Sequence, residues 1–352
     1  MEERTPEVQQ HKAPLVILAG PTAAGKSDAA VELSLRLCGS VISADSMQIY
    51  RGMDIGTAKL RPEEMRGIPH YLIDIAQPDE EWNVVRFQAE AKQAAAEILS
   101  ESRLPILVGG TGFYIQALLY DIDFTKTRED AAYRRELEDL ARTQGPEVLH
   151  RMLEKADPES AAAIHPNNIK RVIRALEYAR DTGEMISSHN ETQRARPPAW
   201  DAVFLCLTMD RQKLYARIDA RVDRMLSEGL VEEVRSLRAR GLSAADVSMQ
   251  GLGYRQILSY LNGECTLEEA AGQIRIQTRH FAKRQLTWFR RERGVTWIDA
   301  DAWTSRGAMI DAMEELIRAH YGMKACASRP DPGLDAQGPR QKGIHASYDR
   351  GI

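Results

Sequence analysis

Gly20-Pro-Thr-Ala-Ala-Gly25-Lys26-Ser27 fulfils G-x-x-x-x-G-K-[ST] at every fixed position. That pattern restricts the chain to folds that set a glycine-rich turn between a buried strand and a helix. The flanks supply both. Pro14 to Ala19 is a continuous apolar run, the mark of a strand covered on both faces of a parallel sheet. Helical periodicity runs from Lys26 to about Cys38. In such a turn Gly20 and Gly25, with Pro21, Thr22, Ala23 and Ala24 between them, let backbone N–H groups converge on phosphate oxygens. The helix N-terminus adds partial positive charge. Lys26 brings a point charge, and the Ser27 hydroxyl can ligate Mg²⁺. The alternative is a chance glycine turn ahead of a helix. The loop points to a polyphosphate without saying which one.

Further strands are expected at Ser40–Ser43, Tyr71–Ile75 and Leu104–Val108, with a helix over Val84–Glu101. Strands alternating with helices predict an α/β fold with a P-loop-type parallel sheet flanked by helices. From about Asp123 the periodicity is helical, over 131–143, 146–155, 160–164 and 168–180. Ser187 to Pro198 is polar, ends in Pro-Pro and reads as a loop. A strand returns at Ala202–Thr208, long helices span 211–240 and 267–291, and a short strand covers Val295–Ile298. The expected organisation is a core at 13–122 and 199–322, a smaller helical insertion at 123–198, and a disordered tail from 323.

The segment Ser43-Ala44-Asp45-Ser46-Met47-Gln48 follows the second strand, where loops of an open α/β sheet converge on ligand. There Asp45 could take a proton from a nucleophile or bind Mg²⁺ through water; as readily, it could cap a turn. A nucleotide kinase or hydrolase would add a strand ending in an acid. The best candidate, Leu104–Val108, instead ends in Gly109-Gly110-Thr111-Gly112.

These blocks resemble the bacterial tRNA dimethylallyltransferase family. The likeness continues through Arg51-Gly-Met-Asp-Ile-Gly-Thr-Ala-Lys59, Ile68-Pro-His-Tyr-Leu72, Val108-Gly-Gly-Thr-Gly-x-Tyr114 and His165-Pro-Asn-Asn-x-x-Arg171-x-x-Arg174-Ala-Leu-Glu177. It ends with Gly251-Leu-Gly-Tyr-Arg255 and Lys283-Arg-Gln-Leu-Thr-Trp-Phe-Arg290. The resemblance implies transfer of a dimethylallyl group from dimethylallyl diphosphate to N6 of the adenosine 3′ of the anticodon, in tRNAs reading codons that begin with U. It implies that Gly20 through Ser27 and Arg221 hold the diphosphate, with Mg²⁺ and Lys26 assisting its departure. Asp45 matches the general base and Thr111 a contact to the target base. Read without the family, Thr111 caps a helix and Arg217 and Arg221 are solvated charges.

The resemblance also implies tRNA contacts at Asp45, Ser46, Met47 and Gln48, and at Lys170, Arg171, Val172, Ile173 and Arg174. Others fall at Gln250, Gly251, Leu252, Gly253, Tyr254 and Arg255. The last group is Lys283, Arg284, Gln285, Leu286, Thr287, Trp288, Phe289 and Arg290, with Arg134 in addition. Net charge is −4, so any nucleic-acid partner must be held by local patches. One such stripe is Arg275, Arg279 and Lys283, in a segment to Arg291 without an acid. A solvated face is the usual fate of such a stripe. Four cysteines, at 38, 206, 265 and 326, lack C-x-x-C spacing, which suggests a reducing cytoplasm and no zinc site. No apolar run approaches a membrane span, and a monomer is expected. Competing readings are an ATP-dependent kinase, an isopentenyltransferase acting on free nucleotides, and a non-catalytic RNA-binding module.

Overall fold

A computed structural model describes residues 12–124, 130–323 and 344–345. Contacts divide it into two units, residues 1–119 with 199–352, and 120–198.

In the first unit, β1 (Pro14–Ala19), α1 (Lys26–Leu37) and β2 (Gly39–Ala44) are followed by α2 (Pro62–Met65), β3 (His70–Tyr71), α3 (Val84–Ser100), β4 (Leu104–Gly109) and α4 (Gly112–Leu119). The second unit holds α5 (Ala131–Gln144), α6 (Pro146–Ala156), α7 (Pro158–Ala163), α8 (Ile169–Thr182) and α9 (Ile186–Ala195). The chain then returns to the first unit through β5 (Asp201–Thr208), α10 (Arg211–Ser227), α11 (Leu230–Ala239), α12 (Tyr254–Leu261), α13 (Leu267–Phe289), β6 (Val295–Asp299) and α14 (Arg306–Tyr321).

Six strands lie parallel in the order β3-β2-β4-β1-β5-β6. Ile344–His345 (β7), inside the stretch expected to lack structure, pairs antiparallel with β6; the rest of that tail lies outside the described residues. β1 is central, so both faces must be apolar, and Leu15 through Ala19 are all 0% exposed. Val16 and Leu18 join one core with Leu33 of α1 and Met313 and Ile317 of α14. Each such side chain contributes about 1.5–3 kcal/mol by leaving water. Across the sheet, α3 and α4 are joined by Phe87 stacked on Tyr114 at 4.2 Å. No helix among the described residues is long and apolar enough to cross a membrane.

Several expectations change. The third strand is only His70–Tyr71, because Leu72 and Asp74 take φ of 62° and 56°, which no strand accommodates. The helix expected over 211–240 is two, broken at Gly229 with φ 106°. The polar segment read as a loop is α9, with buried Gln193 accepting from the Asp123 N–H at 3.2 Å. The helix α14 was not anticipated.

The helical unit leaves and rejoins the sheet at neighbouring points, since the Ala199 N–H donates to the Leu119 carbonyl at 2.7 Å. Its own core gathers Leu137, Leu149, Leu153, Val172, Ile173 and Leu176. Asp157 is 0% exposed there and accepts from the backbone N–H and hydroxyl of both Ser160 and Ser187, at 2.7–3.0 Å. Burial alone would raise its pKa; the four donors outweigh burial and hold it below the usual aspartate value. The carboxylate therefore stabilises the fold above the unfolded pKa of about 3.9, and that contribution is lost as pH falls through the lower folded value. Asp157→Ala should lower unfolding free energy at pH 7 by about 3 kcal/mol. In urea titrations of both proteins, the gap should shrink below about pH 4 as the wild-type carboxylate takes a proton.

Candidate active site

Gly109 pairs with both Ala19 and Ala44, and Ala19 with Cys206, so the carboxyl ends of β1, β2, β4 and β5 form one row. The loops leaving them share that edge and enclose a cavity of about 80 Å³. Thr22, Lys26 and Ser27 line it with Asp45, Gln48, Gly110, Arg221 and Gln285. This convergence requires residues without a Cβ. One placed on Gly109 would lie 2.2 Å from the Ala44 carbonyl oxygen, and one on Gly20, at φ 143°, 2.8 Å from that of Leu207.

The phosphate loop is tied from two distant helices. The carboxamide of Gln285 (α13) accepts from the Thr22 N–H at 2.9 Å and donates to the Gly110 carbonyl at 2.9 Å. Arg221 (α10) donates to the Thr22 hydroxyl at 3.2 Å. Lys26 Nζ donates to the Pro21 carbonyl at 2.7 Å. Burial pulls the Lys26 ammonium down to about 8, repulsion by Arg221 adds to this, and attraction by Asp45 opposes it. Burial likewise lowers Arg221 against the pull of Asp45. Two desolvated cations beside one carboxylate leave the cavity short of negative charge, which a polyphosphate would supply.

Asp45 does cap its own turn, since Oδ1 accepts from the Met47 N–H at 2.9 Å. The same carboxylate lines the cavity, so capping and chemistry are compatible. Thr111 Oγ1 accepts from the Ser46 N–H at 3.3 Å, and Thr111 N–H donates to the Ala44 carbonyl. Thus Thr111 abuts the loop that carries Asp45. Gln48 is fixed at both ends, accepting from Ser43 Oγ at 3.0 Å and donating to the Thr57 carbonyl at 3.3 Å. Among the described residues no group of three or more His, Cys, Asp or Glu could hold a metal ion. The Ser27 hydroxyl and Asp45 carboxylate are hard oxygen donors on one cavity. Mg²⁺ commonly takes one or two protein oxygens and completes its shell with phosphate oxygens and water, so this donor set fits it.

Other expected contacts are placed differently. Tyr254 is 0% exposed, and its hydroxyl donates to Glu233 at 2.6 Å. Glu233 also accepts from the N–H groups of Asp54, Ile55 and Gly56, at 2.7–3.1 Å. Tyr254 therefore braces the 54–56 loop and is no surface contact. Val172, Ile173 and Phe289 are core residues, and Gln285 is buried against the phosphate loop. Arg134 is held by Glu177 through two hydrogen bonds at 2.7 and 2.8 Å. Arg275 and Arg279 are paired with Asp223 and Asp219 of α10, so the stripe's first two charges are committed within the protein. Lys283, Arg284, Arg290 and Arg291 are exposed, and among the described residues none is in an ion pair. His70, on the cavity wall, carried no sequence signal beyond membership of a quoted block, and Glu233 lies in none of them.

A six-stranded parallel sheet flanked by helices, with the G-x-x-x-x-G-K-S turn after β1 and Asp45 directly after β2 on one cavity, defines the class as an α/β protein with its site at the carboxyl edge of the sheet. The chain belongs to the IPP transferase family, which matches residues 48–292. It is 54% identical to a tRNA dimethylallyltransferase of Lachnoclostridium phytofermentans over 86% of this chain and 97% of the relative. The solved tRNA isopentenylpyrophosphate transferase of Bacillus halodurans shares 45% identity at TM-score 0.67, covering 88% of this chain and 97% of its own. A eukaryotic dimethylallyltransferase solved acting on tRNA shares 27% identity at TM-score 0.73, covering 89% and 81%.

The low Lys26 pKa has a measurable consequence. Affinity for inorganic pyrophosphate should fall as pH rises through about 8, by up to about tenfold per pH unit, because the ammonium that attracts the anion is lost. Calorimetric titration from pH 7 to 9.5 should show this limb in the wild type. Lys26→Met should bind more weakly throughout, with the limb absent.

Proposed function

We propose that this chain transfers the dimethylallyl group of dimethylallyl diphosphate to N6 of the adenosine 3′ of the anticodon, in tRNAs reading codons that begin with U. The observation that carries this reading is the sharing of one cavity by a phosphate loop, two desolvated cations and Asp45. Nitrogen attacks C1 of the donor as the C1–O bond breaks, and the proton lost from N6 passes to the Asp45 carboxylate. The departing diphosphate keeps the bonding electrons. Its growing charge meets the loop N–H groups, Lys26 and Arg221, all in place beforehand. Mg²⁺ held at Ser27 would supply further neutralisation on the diphosphate. Val41, Leu60, Ile73 and Val108 give the same cavity an apolar wall suited to the hydrocarbon. The names of the relatives agree with this chemistry.

The exposed cations Lys170, Arg171 and Arg174 of α8, Arg255 of α12, and Lys283, Arg284 and Arg290 at the end of α13 are the residues suited to phosphate contact. A single-stranded anticodon loop can splay its target base outward, which a narrow cavity demands. The direct test incubates the protein with unmodified tRNA, dimethylallyl diphosphate and Mg²⁺ and weighs the nucleosides by mass spectrometry. Absence of a prenylated adenosine would sink the reading.

Asp45→Asn should leave tRNA affinity within about threefold and lower turnover by about 10²- to 10⁴-fold, the usual worth of a positioned base. Single-turnover rates beside equilibrium tRNA binding check this, and near-normal turnover would leave Asp45 a turn cap alone. Replacing Lys283 and Arg284 together by Gln should weaken tRNA binding and reduce the log–log salt slope by about 0.7–0.9 for each lost phosphate contact. The rate at saturating tRNA should hold, since such contacts are equal in ground and transition states. Parallel salt slopes would mark these residues as a solvated face.

A further inference from the structure

Toward its carboxyl end the surface of α13 is divided among three neighbours. Ala282 and Leu286 pack into a core with Leu214 and Ile218 of α10. On another face His280, Lys283, Arg284, Thr287, Trp288 and Arg291 line an open groove of about 470 Å³, which holds three permanent positive charges and no carboxylate. Between these two faces stand Phe281 and Gln285, one turn apart, and both line the cavity that holds Asp45 and the phosphate loop. Gln285 is fixed by its bonds to Thr22 and Gly110, so the turn that carries Phe281 is fixed with it. Phe281 is half-buried, and its ring contact among the described residues is the Arg284 guanidinium, 5.7 Å from the ring centroid. Arg284 belongs to the groove and Phe281 to the cavity, so the ring stands at the boundary between them.

We propose that Phe281 packs against the purine ring of the target adenine after that base has left its strand, and holds it in the cavity with N6 toward Asp45. This rests on the tRNA reading above and adds to it a residue outside the catalytic, phosphate-binding and backbone-binding sets. A base turned out of its strand loses the stacking of its neighbours, and an aromatic side chain replaces it. Single-stranded RNA is gripped in this way, with cations taking the backbone and rings taking the bases. Both halves meet on α13. Among the described residues that line the cavity, Phe281 and His70 are the only rings. The hydrocarbon of the donor has a separate wall on the sheet side, where Ala30, Val41 and Val108 are each less than a tenth exposed. The half-buried ring beside the groove is therefore left for the substrate that arrives from the groove.

The test uses the full chain, an anticodon-arm RNA hairpin, and the same hairpin made abasic at the target position. The wild type should bind the intact hairpin about 5- to 150-fold more tightly than the abasic one, the range for one stacked base. Phe281→Ala should lose most of that preference by weakening with the intact hairpin alone, and Phe281→Tyr should keep it. Pyrophosphate affinity, the gain in affinity from pyrophosphate to dimethylallyl diphosphate, and the thermal midpoint should hold in both variants. A wild-type ratio of intact to abasic binding in Phe281→Ala would overturn the contact. If that variant instead lost the gain from the prenyl group, the ring would belong to the donor. A wild type that binds the two hairpins equally would also overturn it, since no base would then be held. A wild type that does not bind the intact hairpin would overturn it together with the tRNA reading.

Discussion

The buried carboxamide of Gln285 ties α13 to the phosphate loop and to the turn after β4, two loops that leave neighbouring strands. It accepts from the phosphate loop and donates to the carbonyl following β4. A lost partner at a buried amide costs about 1–3 kcal/mol, so the two loops and α13 are held in one arrangement. The cavity inherits its shape from that. Glycine at the edge of β4 permits the approach, and Arg221 secures the other side of the loop through Thr22. With the Thr22 N–H held by Gln285 and the Ala24 N–H by the Pro21 carbonyl, the loop is ordered by the protein itself.

Charge in the cavity is deliberately unbalanced. Lys26 and Arg221 share a dry environment and repel, and Asp45 offsets only part of this. Such an arrangement is costly in the empty protein and favourable once an anion enters.

The phosphate loop and β1 were legible because their determinants are local: a fixed glycine spacing, an apolar hexapeptide and a helix start within a dozen residues. Asp45 was placed by topology, from the rule that strand ends converge. What escaped depends on distant partners. The helix α9 is polar but for Ile186 and Ala195, and beyond Ile186 it is tied down by Asp157 bonding Ser187 and by Gln193 reaching Asp123. Tyr254 sits in a block that resembles a binding motif, yet its hydroxyl is buried on Glu233. Arg279 looks like a free charge until Asp219, a helix away, is seen beside it. No periodicity reports a partner 60 residues off.

The bracket made by Glu233 reaches back to the backbone of residues 54–56, nearly 180 residues earlier. Thr57, next along that loop, walls the cavity and fixes Gln48. During synthesis the phosphate loop and Asp45 emerge first, while Arg221, Glu233 and Gln285 follow only after the helical unit has been made. Strand β1 waits too, since β5 is one of its two neighbours. A growing chain therefore carries its glycine-rich turn without the ties to Arg221 and Gln285 for most of its translation. They form late, when α10 and then α13 close on the first loop.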